Sequence, residues 1–145
     1  MPSIHYFLFR VYRRLVPAAL RDSRFGEWVE QRAPHDFVYN PEYFRDVIEN
    51  HSGNAAAPMA ESIVRDLAPR SVIDIGCGTG NLLEALLVRG CEVFGLEYAV
   101  AALEACQRRG IPVQRMNLET DVVALPRRYD VVCSIEVAEH LPEPC

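Results

Sequence analysis

A chain of 145 residues, half of them apolar, is long enough to bury one core and too apolar for intrinsic disorder. No apolar run approaches the ~20 residues that cross a bilayer, and Arg10, Arg13 and Arg14 interrupt the N-terminal apolar stretch, which has no basic region before it and so lacks a secretory pattern. The net charge of −5 gives no overall attraction for nucleic acid, and the lack of any lysine among the 15 cationic residues removes Schiff-base chemistry and the lysine-bearing phosphate loop.

Ile4–Leu20 reads as an amphipathic helix: Ile4, Phe7, Leu8, Val11 and Leu15 share one stripe, with Arg10, Arg13, Arg14 and Arg21 opposite. Pro17 should bend or end it. Its basic face suits an acidic membrane surface or partner, but a basic run is more simply a solvated face, with the apolar stripe docked on the domain. Phe25–Gln31 forms a short helix with Trp28, the only tryptophan. Asn40-Pro41-Glu42 is a helix start, a capping side chain followed by proline and an acid at the positive end. That helix runs to about Asn50 and breaks at Ser52-Gly53-Asn54. Pro58–Leu67 follows as another helix, with Met59, Ile63 and Leu67 on its inward face.

Past Pro69 the pattern becomes regular. Val72, Ile73 and Ile75 are β-branched, as in a short strand (Val72–Ile75) buried on both faces. Helix Leu82–Arg89 ends at Gly90, strand Cys91–Leu96 leads to helix Val100–Arg109, and Gly110 ends that helix in turn. Strand Val113–Met116, a loop through Pro126 and strand Tyr129–Cys133 complete the order. This alternation predicts an α/β fold, a Rossmann-like open and mostly parallel sheet with N-terminal helices and right-handed crossovers. The chain divides into a helical segment at 1–68 and a Rossmann-like domain at 69–145. The five cysteines are scattered without a C-x-x-C pair, which suggests reduced thiols in a cytoplasm, and the all-arginine bias suggests a bacterial genome.

The first strand runs into Gly76, Gly78 and Gly80, and Asn81 then opens a helix. This is the nucleotide-binding turn of an open α/β sheet, but its spacing is G-x-G-x-G rather than G-x-G-x-x-G. Asp74 before the first glycine would repel a pyrophosphate and suits a ligand bearing an ammonium or sulfonium charge. The stretch Asp74-Ile75-Gly76-Cys77-Gly78-Thr79-Gly80 resembles the first motif of class I S-adenosylmethionine-dependent methyltransferases.

The resemblance implies that Asp74, Gly76, Cys77, Gly78 and Gly80 bind S-adenosyl-L-methionine, with Asp74 anchoring its methionine part. Glu97 lies 21 residues beyond Gly76, near the ~20-residue distance at which an acid meets ribose hydroxyls; Tyr98 follows it at the same strand end. Asn117 stands where the family commonly has an aspartate that accepts from the adenine amine. It accepts through its carbonyl or donates to a ring nitrogen through its amide, and Leu118 packs on the ring. Ser134-Ile135-Glu136-Val137-Ala138-Glu139-His140-Leu141-Pro142 resembles the fourth-motif region of small-molecule methyltransferases, with Glu136 at the cofactor and His140 the candidate base. Glu136, Glu139 and His140 also match a metal-binding pattern of small-RNA 2′-O-methyltransferases, but no metal is expected, because further ligands would be needed. The N-terminal helices become a lid whose Tyr39, Tyr43 and Phe44 approach the methyl group. The family sheet normally has seven strands and only its first half is found here. The sequence therefore reads as a fragment or truncated product, or as a chain whose open edge is covered by a second copy or a partner. A methyltransferase for a small-molecule acceptor is the expected function; a non-catalytic cofactor-binding or interaction module is the alternative.

Overall fold

The computed structural model describes residues 11, 14–21, 23–24, 39, 44, 53–122, 125, 127–138 and 141 of the chain. Four strands form one parallel sheet: β1 (Ser71–Ile75), β2 (Glu92–Glu97), β3 (Val113–Arg115) and β4 (Val131–Ser134), in the order β3-β2-β1-β4. The helices are α1 (Ala18–Arg21), α2 (Gly53–Leu67), α3 (Asn81–Val88) and α4 (Val100–Arg108). None is long and apolar enough to cross a membrane among the described residues. The expected Rossmann-like α/β sheet is the one observed, with element ends within two residues of those expected from β1 to α4 and at β3. The expected helices at Phe25–Gln31 and from Asn40 to Asn50 lie outside the described residues apart from Phe44.

Alternation along the strands sorts the core into two layers. Val72, Val93 and Cys133 pack with Leu82, Leu83 and Leu86 of α3, Ala60 of α2 and Cys106 of α4. On the other face Ile73, Leu96 and Met116 are buried among Ile75, Phe94, Leu118 and Tyr129. Leu83 and Leu86 are fully buried, each contributing about 1.5–3 kcal/mol of transfer free energy.

Three expectations fail in the helices. Helix α2 begins at Gly53 rather than Pro58 and carries Pro58 inside it. Ala55, Ala56 and Ala57 are strong helix formers and extend it upstream of a proline that removes one backbone hydrogen bond. Its inward stripe is Met59, Ala60, Ile63 and Val64, while Leu67 is 60% exposed; the chain leaves the helix at Ala68, whose φ is 43°. Leu15 is also exposed, at 74%, so the apolar stripe of the first helix is not buried at that position, where the helical turn ends just before Pro17.

At the N-terminal ends of the strands, Asp130 ties β4 to β1. Its Oδ2 accepts the N–H groups of Arg70 and Ser71, both at 2.9 Å, and the Ser71 hydroxyl at 3.1 Å. The Asp130 N–H in turn donates to the Ser71 carbonyl at 3.1 Å. These donors, the backbone N–H groups first, hold the Asp130 carboxyl below the usual carboxylate range. A depressed acid contributes stability above its unfolded pKa and loses it as pH falls through its folded value. Asp130→Asn should therefore lower the melting temperature at pH 7, with the gap to the parent closing towards about pH 3. Thermal melts across that range check this, and a gap that stays constant would refute the link.

Candidate functional site

Because the sheet is parallel and in register, the C-terminal ends of its strands meet at one edge, with Ile75 beside Leu96 and Ser134. The strand order turns at β1, between β2 and β4, and the crevice beyond such a switch is where open α/β sheets bind ligands. The glycine turn fills that place. Its Gly76 and Cys77 N–H groups donate to the Leu96 carbonyl at 2.8 and 3.1 Å.

The three glycines do different work. A Cβ on Gly76 would stand 2.4 Å from Val137 Cγ2, and one on Gly80 would stand 2.7 Å from Ile111 Cδ1. Both are required by close packing. At Gly78 the nearest atom is Phe44 Cε1 at 4.0 Å, so the middle glycine faces space that a ligand can enter against bare backbone. Phe44 is buried against Ala99 and Ala102 with Tyr39 beside it, which brings two of the expected lid aromatics to this edge. Tyr43 lies outside the described residues.

Two acids meet under the turn. Asp74 sits between Gly95 and Cys133 in register and is 5% exposed. No hydrogen-bond donor reaches its carboxyl among the described residues. Burial first, and the charge of Glu97 second, push its pKa up to about 7. Burial and Asp74 together push the Cys133 thiol up to about 11. Glu97 is the opposite case. Its Oε1 accepts the N–H groups of Tyr98 and Ala99 at 2.7 and 2.8 Å, and its Oε2 accepts that of Gly78 at 2.8 Å. The first two bonds satisfy N–H groups at the start of α4, which has Ala99 as its N-cap. The three together leave about one acceptor position of the carboxylate open.

At the end of β3, the Asn117 side-chain oxygen accepts the Glu119 N–H at 2.9 Å, and the Asn117 N–H donates to Asp121 at 2.8 Å. Since a backbone N–H only donates, that contact fixes which side-chain atom is the oxygen, and the amide is left to donate elsewhere. Leu118 packs beneath, against the Ile73 and Leu96 layer. Arg115 stacks over Tyr98, with its guanidinium carbon 4.9 Å from the ring centroid. Glu136 is exposed beyond β4 in a left-handed conformation, φ 53°. His140 and Glu139 lie outside the described residues.

Three contributors went unrecognised in the sequence. Gly95 gives α3 and β3 their close approach to β2: a Cβ there would stand 2.5 Å from Cys77 Sγ and 2.9 Å from both Leu83 and Val113. A glycine inside a strand was the available sign. Arg109 donates to the Thr79 carbonyl and the Asn81 side-chain oxygen, both at 2.8 Å, and pairs with Glu84, so the end of α4 clamps the turn and the start of α3. Cys106 places its thiol against Gly78, donating to that carbonyl at 3.3 Å. The Thr79 hydroxyl is buried and finds no partner among the described residues.

A family model described as "Methyltransferase domain" matches residues 5–145. The chain is 37% identical to the ubiquinone biosynthesis O-methyltransferase of Pseudomonas savastanoi pv. phaseolicola over 54% of its own length and 36% of that protein. It thus spans about a third of the length of the curated relatives it matches. Among solved structures it resembles a putative S-adenosyl-L-methionine-dependent methyltransferase from Methanococcus maripaludis, with TM-score 0.58 and 16% identity over 71% of this chain and 53% of that one. DesVI of Streptomyces venezuelae matches with TM-score 0.51 and 21% identity over 72% and 44%. At these identities the likeness is one of fold.

The state of Asp74 yields a direct test. An acid whose folded pKa is raised contributes stability below its unfolded value and loses it as pH rises through the folded value. Asp74→Asn should therefore match the parent near pH 4 and exceed it by about 2–4 kcal/mol at pH 8 in the ligand-free protein. Urea unfolding at both pH values measures this. Equal stability at pH 8 would mean that Asp74 ionises without cost.

Proposed function

The chain belongs to the methyltransferase-domain family, and we propose that it binds S-adenosyl-L-methionine and serves methyl transfer to a small-molecule acceptor. One observation carries the reading: a buried carboxyl, Asp74, without a donor among the described residues and with its pKa raised to about 7, lies under a turn whose middle glycine faces open space. A nearby cation relieves both the burial and the repulsion by Glu97 that hold Asp74 protonated. The proposed cofactor offers an ammonium and a sulfonium, and it supplies a methyl group already activated for in-line displacement.

The residues then divide the work. Asp74 faces the cationic end, and Gly76, Cys77, Gly78 and Gly80 shape the backbone that the ligand lies against. Glu97 accepts ribose hydroxyls through its open acceptor position and by giving up the Gly78 N–H. Asn117 donates its amide to a ring nitrogen, since its oxygen is already engaged, and Leu118 packs along the ring. Tyr98 and Glu136 line the same edge. Phe44 and Tyr39 exclude water from it. His140 is the base where an acceptor must lose a proton. The O-methyltransferase activity named for the Pseudomonas relatives supports a small-molecule acceptor. Free thiols at all four described cysteines support a reducing cytoplasm, and the lysine-free composition together with those relatives supports a bacterial source.

Strand β4 supports a further reading about partners. Among the described residues it pairs with β1 alone, and Val132 and Ile135 are 59% and 41% exposed. An apolar edge of this kind pairs readily with another chain, and a second copy is the simplest occupant. The alternative functional reading is a cofactor-binding module without turnover. Turnover of any acceptor across a broad panel would dismiss that reading.

Titration calorimetry with S-adenosylhomocysteine should show binding that Gly78→Arg abolishes while circular dichroism stays unchanged, and NAD should not bind. Affinity should rise with pH up to about 7, by at most about tenfold per unit, as Asp74 ionises. Binding by Gly78→Arg equal to that of the parent would refute the site. Light scattering should detect a dimer or larger species that Val132→Lys dissociates, and a strictly monomeric parent chain would refute the edge pairing.

A further inference from the structure

Beneath the glycine turn, two sulfurs converge on one carbonyl. Cys77 Sγ lies 3.8 Å and Cys106 Sγ 3.3 Å from the Gly78 oxygen, so both thiols reach the same acceptor. Two glycines leave the space they fill: a Cβ on Gly95 would stand 2.5 Å from Cys77 Sγ, and one on Gly80 would stand 3.0 Å from Cys106 Sγ. The other described thiols are placed elsewhere. Cys91 donates to the Pro69 carbonyl at 3.5 Å, and Cys133 sits beside Asp74 on β4.

The pair is also differentiated. The neighbouring Cys106 sulfur first, and burial second, push the Cys77 thiol up and keep it protonated. Cys77 in turn draws the Cys106 thiol down, and the positive charge of Arg109 acts in the same direction. Cys106 is thus the sulfur whose thiolate is favoured and Cys77 stands at the same carbonyl as the resolving thiol; both are buried, so a small oxidant must enter beneath the turn to reach them.

We propose that Cys77 and Cys106 form a redox modification site, which a peroxide closes to an intramolecular disulfide that remodels the glycine turn. The Cys106 thiolate attacks the peroxide O–O bond to give a sulfenic acid and hydroxide. The Cys77 thiol then displaces the sulfenic oxygen as water, and the S–S bond forms. The two sulfurs lose two electrons, and hydrogen peroxide is reduced to water. Joining the two sulfurs in a bond of ~2.05 Å removes both thiol donors from the Gly78 carbonyl. That frees the Gly78 carbonyl on one side of a residue whose N–H, on the preceding peptide, binds Glu97. The effect on ligand affinity rests on the proposed cofactor reading; the disulfide itself does not.

The full chain, reduced, treated with hydrogen peroxide, then denatured and alkylated, should lose ~2 Da before alkylation and label three of its five thiols. Fragment spectra should join Cys77 to Cys106. Cys106→Ser and Cys106→Ala should both abolish the linkage, so that poor folding of one leaves the other to decide. Oxidation should weaken S-adenosylhomocysteine binding by at least about tenfold, reversibly with a thiol reductant, and both variants should keep their affinity under peroxide. Linkage through Cys91, Cys133 or Cys145, or sulfinic acid at Cys106 without linkage, would overturn the site. Linkage with unchanged affinity would overturn the remodelling. Failure of the reduced parent to bind S-adenosylhomocysteine would count against the cofactor reading alone, and the mass data would still decide the disulfide.

Discussion

The C-terminal edge of the sheet depends on one carboxylate. Glu97 ends β2, and its two oxygens take three backbone N–H groups from two other parts of the chain. Those of Tyr98 and Ala99 belong to the start of α4, where N–H groups lack partners inside the helix. That of Gly78 belongs to the turn after β1. A charged acceptor strengthens each bond, so strand, helix and turn are fixed relative to one another. Without Glu97, the turn would keep its links to Leu96 but lose the one that holds the N–H of its middle glycine.

Glu97 and Asp74 show how burial gives the same chemical group opposite roles. Glu97 is satisfied by the backbone and organises structure. Asp74 is more deeply buried, lacks a donor among the described residues and is raised to about 7 partly by Glu97. At the far end of the sheet Asp130 repeats the first pattern: backbone N–H groups lower its pKa and join β1 to β4. The two carboxyls that join strands and turn are thus held by backbone N–H groups, whereas Asp74, beneath the turn, has no donor among the described residues.

Arg109 supports this edge from behind. By holding the Thr79 carbonyl, Asn81 and Glu84 it couples the end of α4 to the start of α3. Helix α3 has Gly80 as its N-cap, without a side-chain cap of its own. The clamp therefore stabilises a helix start that the glycine, required there by the closeness of Ile111 and Cys106, leaves uncapped. Sequence spacing gives no access to such a contact, because its partners come from two helices separated by a strand.

Local pattern was enough for the strands, for helices α3 and α4, for the turn and for the position of Glu97, because each is written in neighbouring residues: β-branched runs, glycines at helix ends, an acid at a strand end. It was misleading for α2, where three alanines outweighed a proline, and at Leu67, where the chain turns away after the helix. Identical glycines in one motif differed only in the fold. Val137 and Ile111, from distant segments, crowd Gly76 and Gly80, while Gly78 is left open. The raised pKa of Asp74 and the meeting of Cys77 with Cys106 at one carbonyl likewise depend on what other segments bring within a few ångströms. Such proximities are set by packing across the sheet, which the order of residues along the chain does not express.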